Sequence, residues 1–297
     1  MPSLTARIVG LLLRTTGYYR RMYSGGALFQ KNLARVRAAR QAEPTAKMRR
    51  DLTVKQSQFD GQSIWYLAPN DREPSAHVLY WHGGGYVYPA TPAHWAFLAR
   101  MAQVYGWAIT APLYPLAPEF NAEHTTSWAL KYYQHYLDER GGAPFVMGGD
   151  SAGGGLAAAT VLAARAHWLA LPAALLLICP WLNTEPSHPD QKAIEPRDAI
   201  LTLAGISEAG ALYADGLPAT DPRVSPIYAD WTGLPPILAF GGGDDILVCD
   251  ARALKVTNPS IEYCEEAGMI HDWPLFSFTE SRAAQKQMSA FVSSTIT

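Results

Sequence analysis

Gly149-Asp150-Ser151-Ala152-Gly153-Gly154 joins two segments of opposite character. Residues 144–148 ahead of it are short and apolar and read as a buried strand. Residues 156–164 behind it are Ala-rich, contain no breaker and read as a helix. A chain that turns from strand to helix here holds its serine on a tight, strained bend. Only small neighbours let the backbone pass so closely, and the bend lifts the hydroxyl clear of the sheet. The arrangement implies a βα architecture and a nucleophilic serine. A trypsin-like protease carries a similar Gly-Asp-Ser-Gly-Gly string, but such chains are all-β with paired cysteines. Here a helix follows, and the cysteines number three.

A plain glycine-rich junction is the remaining alternative, and the upstream residues weaken it. His82-Gly83-Gly84-Gly85 follows the apolar run Val78-Leu79-Tyr80-Trp81. Glycines at a strand end leave backbone N–H groups bare. An acyl-transfer enzyme needs such donors aimed at the oxygen that becomes negative in its tetrahedral intermediate. Gly83 and Gly84 are the candidates from this loop, with Ala152 just past the serine. A phosphate-binding loop fits less well, because the Lys-Ser/Thr of a P-loop is missing and the spacing does not match Gly-x-Gly-x-x-Gly.

Together the two motifs resemble the hormone-sensitive-lipase-like α/β-hydrolases, the bacterial family IV carboxylesterases. The resemblance runs from about residue 65 to the C-terminus. It includes Tyr114-Pro115-Leu116-Ala117-Pro118-Glu119, Cys179-Pro180-Trp181, Ser225-Pro226, Gly233-Leu234-Pro235-Pro236, Gly243-Asp244-Asp245-Ile246-Leu247 and Gly268-Met269-Ile270-His271-Asp272-Trp273. It implies an α/β-hydrolase fold, with a mostly parallel central sheet covered by helices. Residues 1–50 and an insert at about 184–220 would form a helical cap over a catalytic domain of residues 51–297. It also implies hydrolysis of short-chain carboxylic esters with no cofactor and no metal. Pro115 replaces the usual basic residue, Pro89-Ala90 a common Gly-Ser, and Asn183 a frequent aspartate. These departures bear on substrate fit rather than on chemistry.

A serine hydroxyl needs a histidine to take its proton, and that histidine needs a carboxylate. In α/β-hydrolases the chain order is Ser, acid, His. Only His188 and His271 follow Ser151 beyond its own helix. His188 lies in a proline-broken stretch and reads as a surface residue; His271 lies where the family has its base. Asp245 fits the family's Asp-x-Leu spacing through Ile246-Leu247, with Asp244 as the alternative acid. Asp250 and Asp272 read as solvated or structural. Tyr86, Trp181 and Trp273 are candidates for the pocket lining, with the core as the alternative place for each.

The strand and helix signals alternate after residue 60. Strands are predicted at 62–68, 77–81, 107–112, 145–148, 174–179, 237–240 and 261–264, with helices at 126–139 and 201–213. That alternation is the pattern of a mostly parallel sheet. A net charge of −2 argues against a nucleic-acid partner. Arg20, Arg21, Lys31, Arg35, Arg37, Arg40, Lys47, Arg49 and Arg50 are expected on the solvated faces of amphipathic N-terminal helices, with a membrane or partner surface as the minor alternative. The apolar run at 8–13 is bounded by Arg7 and Arg14 and is too short to span a bilayer, so no stable membrane insertion is expected. Unpaired cysteines suit a cytoplasmic protein. The expected partner is a small-molecule ester, and a homodimer is left open. An amidase or peptidase with the same triad is the nearest rival, and a non-catalytic small-molecule receptor the rival from another class. Retention of His271 speaks against the receptor.

Overall fold

The computed structural model describes residues 2–296. Four helices come first: α1 (Leu4–Thr16), α2 (Tyr18–Met22), α3 (Gly26–Ala38) and α4 (Ala46–Asp51). Strands β1 (Leu52–Phe59) and β2 (Gln62–Pro69) then pair as an antiparallel hairpin. They turn at Asp60 and Gly61, both with positive φ, as a two-residue hairpin turn with a matching twist requires. The chain continues through β3 (Ala76–Trp81), α5 (Pro92–Tyr105), β4 (Trp107–Pro112), α6 (Ala122–Arg140), β5 (Val146–Asp150), α7 (Ala152–Ala166) and β6 (Ala174–Ile178). Helices α8 (Gln191–Ile194) and α9 (Leu203–Ala214) follow, then β7 (Ile237–Gly242), α10 (Val248–Thr257), β8 (Glu262–Glu266) and α11 (Thr279–Thr295).

The eight strands form one sheet in the order β1-β2-β4-β3-β5-β6-β7-β8. Only the β1–β2 and β2–β4 pairs are antiparallel. Every residue of β5, β6 and β7 is buried. Side chains alternate faces along a strand, so full burial means that both faces are covered. This is the α/β-hydrolase fold anticipated from the sequence. β1 was not anticipated. Its middle residues, Lys55, Gln56, Ser57 and Gln58, are polar and exposed at the sheet edge, which removes the apolar signal of a strand.

The N-terminal helices are bound to the segment after β6. Arg20 donates from one guanidinium nitrogen to the carbonyls of Glu195 at 2.9 Å, Asp198 at 2.7 Å and Leu201 at 3.2 Å. Glu208 accepts from the Gly26 N–H and the Gln30 amide, and Thr202 donates to the Tyr23 carbonyl. Gly205 approaches that same Tyr23 carbonyl so closely that any Cβ would collide with it. Arg37 reaches the carbonyls of Val87 and Ala117, each at 3.1 Å, and the Glu119 carboxylate at 2.5 Å. Arg20 and Arg37 therefore do not belong to a solvated face. Their long side chains donate instead to backbone carbonyls of the segments they cross.

Candidate active site

Ser151 caps the N-terminus of α7 with φ 52 and ψ −121, a backbone conformation costly for any residue other than glycine. Several contacts hold it there. Its N–H donates to Ile178 O at 2.9 Å, and its carbonyl accepts from Gly155 N–H at 3.1 Å and Trp181 N–H at 2.9 Å. A Cβ on Gly153 would strike the carbonyls of Trp81 and His82, and one on Gly149 would strike Gly153. The small residues around the serine are thus required by close backbone passage, as the motif implied.

The loop after β7 carries Asp245, and the loop after β8 carries His271. The two are buried and meet: His271 Nδ1 lies 2.8 Å from Asp245 Oδ2. The other Asp245 oxygen accepts from the Leu247 N–H at 2.8 Å, which fixes the rotamer. Asp244 points elsewhere, to Arg197 at 2.9 Å and Arg14 at 3.7 Å. His188, as expected, is a surface residue, beside Asp190.

Asp272, read as solvated or structural, faces the imidazole rather than open solvent. Its Oδ2 lies 3.1 Å from His271 Nε2, so the imidazole is held between two carboxylates. A left-handed backbone at Asp272, φ 53, turns the side chain back onto its neighbour. Burial pulls the His271 imidazole toward its neutral form, but Asp245 and then Asp272 outweigh it and raise it well above the ordinary histidine value. Burial likewise raises the Asp272 carboxyl, and the facing imidazole opposes that rise. Cys179, His271 and Asp272 each offer a ligand atom, all within 4.8 Å of one another. The imidazole of that group is already engaged by carboxylates on both nitrogens.

The oxyanion-loop expectation needs one correction. The Gly83 N–H donates to Asp150 Oδ2 at 3.0 Å and is not available to a ligand. Asp150 is buried and also accepts from Tyr80 OH at 2.7 Å, with His94 Nε2 at 3.0 Å. One carboxylate thereby ties β3, the glycine loop and α5 to the residue preceding Ser151. The next two glycines, Gly84 with φ 125 and Gly85 with φ 62, have N–H groups with no acceptor among the described residues. The same holds for the Ala152 N–H, at the positive end of α7.

A cavity of about 510 Å³ opens over these groups. Ser151, His271, Asp272 and Gly84 form its floor, and Tyr18, Tyr19, Met22 and Tyr23 bring the N-terminal helices into its wall. Tyr86, Trp181 and Trp273 are not in the lining and take their alternative place in the core. Tyr86 stacks on Tyr213 with centroids 3.7 Å apart, and Trp181 tilts against it. Trp273 donates its indole N–H to Gly241 O at 3.1 Å. Aromatic side chains beside a motif bury as readily into the core as into a pocket, and sequence carries no sign of which.

Asp198 was also not foreseen. It is buried in the insert and accepts from the N–H groups of Ile200, Leu201 and Ile246 at 2.8, 2.8 and 2.9 Å. Ile246 directly follows Asp245, so this carboxylate couples the insert to the acid loop. Asp250 does similar work for Leu182 and Asn183, each at 2.8 Å, and burial raises it to about 7. Neither Asp198 nor Asp250 sits in a local pattern that marks it. The distant partners that give them their coupling role, Ile246 for Asp198 and Leu182 for Asp250, lie 48 and 68 residues away.

A family model described as the alpha/beta hydrolase fold matches residues 78–275. The chain is 32% identical over 234 residues to an acetyl-hydrolase of Streptomyces hygroscopicus, covering 74% of this chain and 76% of that protein. It is 30% identical over 236 residues to the carboxylesterase NlhH of Mycobacterium tuberculosis, covering 74% and 73%. Among solved structures, a hormone-sensitive lipase from a metagenome library matches with a TM-score of 0.83 and 26% identity, over 98% of this chain and 99% of that one.

Proposed function

The chain belongs to the hormone-sensitive-lipase-like esterases of the α/β-hydrolase family and is a carboxylic ester hydrolase; on that premise we propose that Ser151, His271 and Asp245 are its nucleophile, base and acid, and that its substrates are small esters of short-chain acids. The observation that carries the residue assignment is the 2.8 Å contact of Asp245 with His271, in a cavity shared by His271 and Ser151.

In the proposed cycle Ser151 Oγ attacks the ester carbonyl carbon as His271 Nε2 takes its proton. Asp245 holds the Nδ1 tautomer and stabilises the imidazolium. The N–H groups of Gly84, Gly85 and Ala152 receive the oxyanion. The imidazolium then protonates the leaving alkoxide as the carbon–oxygen bond breaks, leaving an acyl-serine. Water, deprotonated by the same nitrogen, releases the carboxylic acid and restores the serine. For Nε2 to serve Ser151 it must leave Asp272, its partner at 3.1 Å.

That competition gives a pH prediction. The base acts when neutral, and a neighbouring carboxylate favours the charged imidazolium. Asp272→Asn removes one of the carboxylates that raise His271. The acidic limb of kcat/KM against pH is therefore expected to move to lower pH. A limb that stays in place, or moves to higher pH, would remove Asp272 from this role.

The preference for short acyl chains rests on the cavity. About 510 Å³ is the size of a small-molecule site. Each methylene that enters contributes about 0.8 kcal/mol while room remains. Once the site is full, a further one meets protein, and overpacking costs about 1–3 kcal/mol. For p-nitrophenyl esters below their micelle thresholds, kcat/KM is expected to rise from acetate and to collapse at acyl lengths of about eight to ten carbons. A steady rise through palmitate would overturn the bounded-site reading.

We also propose that residues 1–50 and the 184–220 insert form a cap over a catalytic body of residues 51–297. The bonds from Arg20 to Glu195, Asp198 and Leu201 support that division. The free thiols of Cys179, Cys249 and Cys264 favour residence in a reducing cytoplasm.

A further inference from the structure

Helix α1 is apolar on more than the side it buries. Ala6 and Gly10 face the protein, where a Cβ added to Gly10 would just touch Ile270, the neighbour of His271. Ser3 bonds Glu280 of α11 at 2.9 Å, and Arg14 pairs with Asp244 at 3.7 Å. These contacts seat α1 on the loops that carry Asp245 and His271. The opposite side is expected to be polar in a surface helix. It is instead formed by Leu4, Ile8, Leu11 and Leu12, with 71, 49, 56 and 56% of their surface exposed. At 3.6 residues per turn these four fall within a narrow arc, with Arg7 along one border. The stripe continues into Tyr18, which is 57% exposed and lines the catalytic cavity.

The N-terminal segment that carries this stripe has charged side chains of one sign. Residues 2–42 carry eight Lys and Arg side chains and no Asp or Glu, in a chain whose net charge is −2. Arg20 and Arg37 are turned inward onto carbonyls. Arg7, Arg21 and Lys31 are exposed and have no carboxylate partner among the described residues. A second copy of this chain is the wrong occupant. An isologous contact would set this cationic segment against itself. A surface of opposite charge with an apolar interior suits both features at once.

We propose that α1 is an interfacial anchor that lays Leu4, Ile8, Leu11 and Leu12 into the headgroup boundary of an anionic lipid membrane. The attachment is peripheral, since no helix among the described residues is long and apolar enough to cross a membrane. It would hold the mouth of the cavity, at Tyr18 and Tyr19, against the lipid surface from which apolar esters partition.

The test is co-sedimentation of the full chain with vesicles of phosphatidylcholine alone and of a phosphatidylcholine–phosphatidylglycerol mixture. The wild type is expected to pellet with the mixture and to stay in solution with phosphatidylcholine. Salt at about 1 M, which shortens the Debye length to about 3 Å, should release most of it. Leu11→Glu combined with Leu12→Glu should weaken association by about ten-fold or more. Its turnover of a soluble acetate ester should stay at the wild-type level, because neither leucine lines the cavity. Equal binding to both vesicle types, or none to either, overturns the proposal, and these wild-type arms decide it even if the double variant fails to fold. A dimer in sedimentation velocity that the double variant disperses would assign the stripe to a second copy and likewise overturn it.

Discussion

Ser151→Ala is expected to lower kcat for ester hydrolysis by about 10⁴- to 10⁶-fold, because members of a triad act as a unit and the loss of the nucleophile removes the covalent route altogether. The protein should remain folded. Ser151 Oγ makes no hydrogen bond to a described residue, so its removal leaves no buried group unpaired. Alanine keeps the Cβ, so the strain at φ 52 is unchanged rather than relieved. The stability change should fall within about 1 kcal/mol. The measurement is single-turnover hydrolysis of p-nitrophenyl butyrate by protein freed of host esterases, beside a urea titration. A burst of p-nitrophenol followed by near-normal turnover would end the assignment of Ser151. A variant that has lost both its activity and its urea midpoint would indict the fold rather than the chemistry.

The two neighbouring aspartates give the second large effect, as a contrast. Asp245→Asn is expected to cost about 10⁴-fold in kcat, because an amide facing Nδ1 stabilises the unproductive tautomer and leaves the imidazolium without its counter-charge. Asp244→Asn is expected to stay within a few-fold of wild type. Asp244 bonds Arg197 at 2.9 Å and Arg14 at 3.7 Å on a partly exposed face, and such pairs are worth about 0–1 kcal/mol each. The reverse result, a dead Asp244→Asn beside an active Asp245→Asn, would shift the acid by one residue. Equal loss in both would mean that the loop after β7 is being disturbed as a whole, and a comparison of urea midpoints would reveal it.

What was legible in the sequence was whatever local chemistry dictates. A strand running through glycines into an Ala-rich helix has one way to turn, so the strained serine at 151 follows from its own neighbours. The order of β and α signals led to a mostly parallel sheet, since buried strands announce themselves by unbroken apolar runs. The choice of Asp245 over Asp244 came instead from the family resemblance, through its Asp-x-Leu spacing. What only the tertiary structure decided depends on residues distant in the chain. Gly83 and Gly84 are alike as sequence, yet Asp150, 67 residues on, occupies the N–H of the first and leaves that of the second free. Asp272 closes on His271 because its backbone turns left-handed, which no local pattern demanded. Tyr86 is core because Tyr213 arrives to stack on it. Arg20 points inward because the insert presents three carbonyls. The apolar outer side of α1 is the converse case: a sequence shows that a residue is apolar, but only the assembled chain shows that nothing has come to cover it.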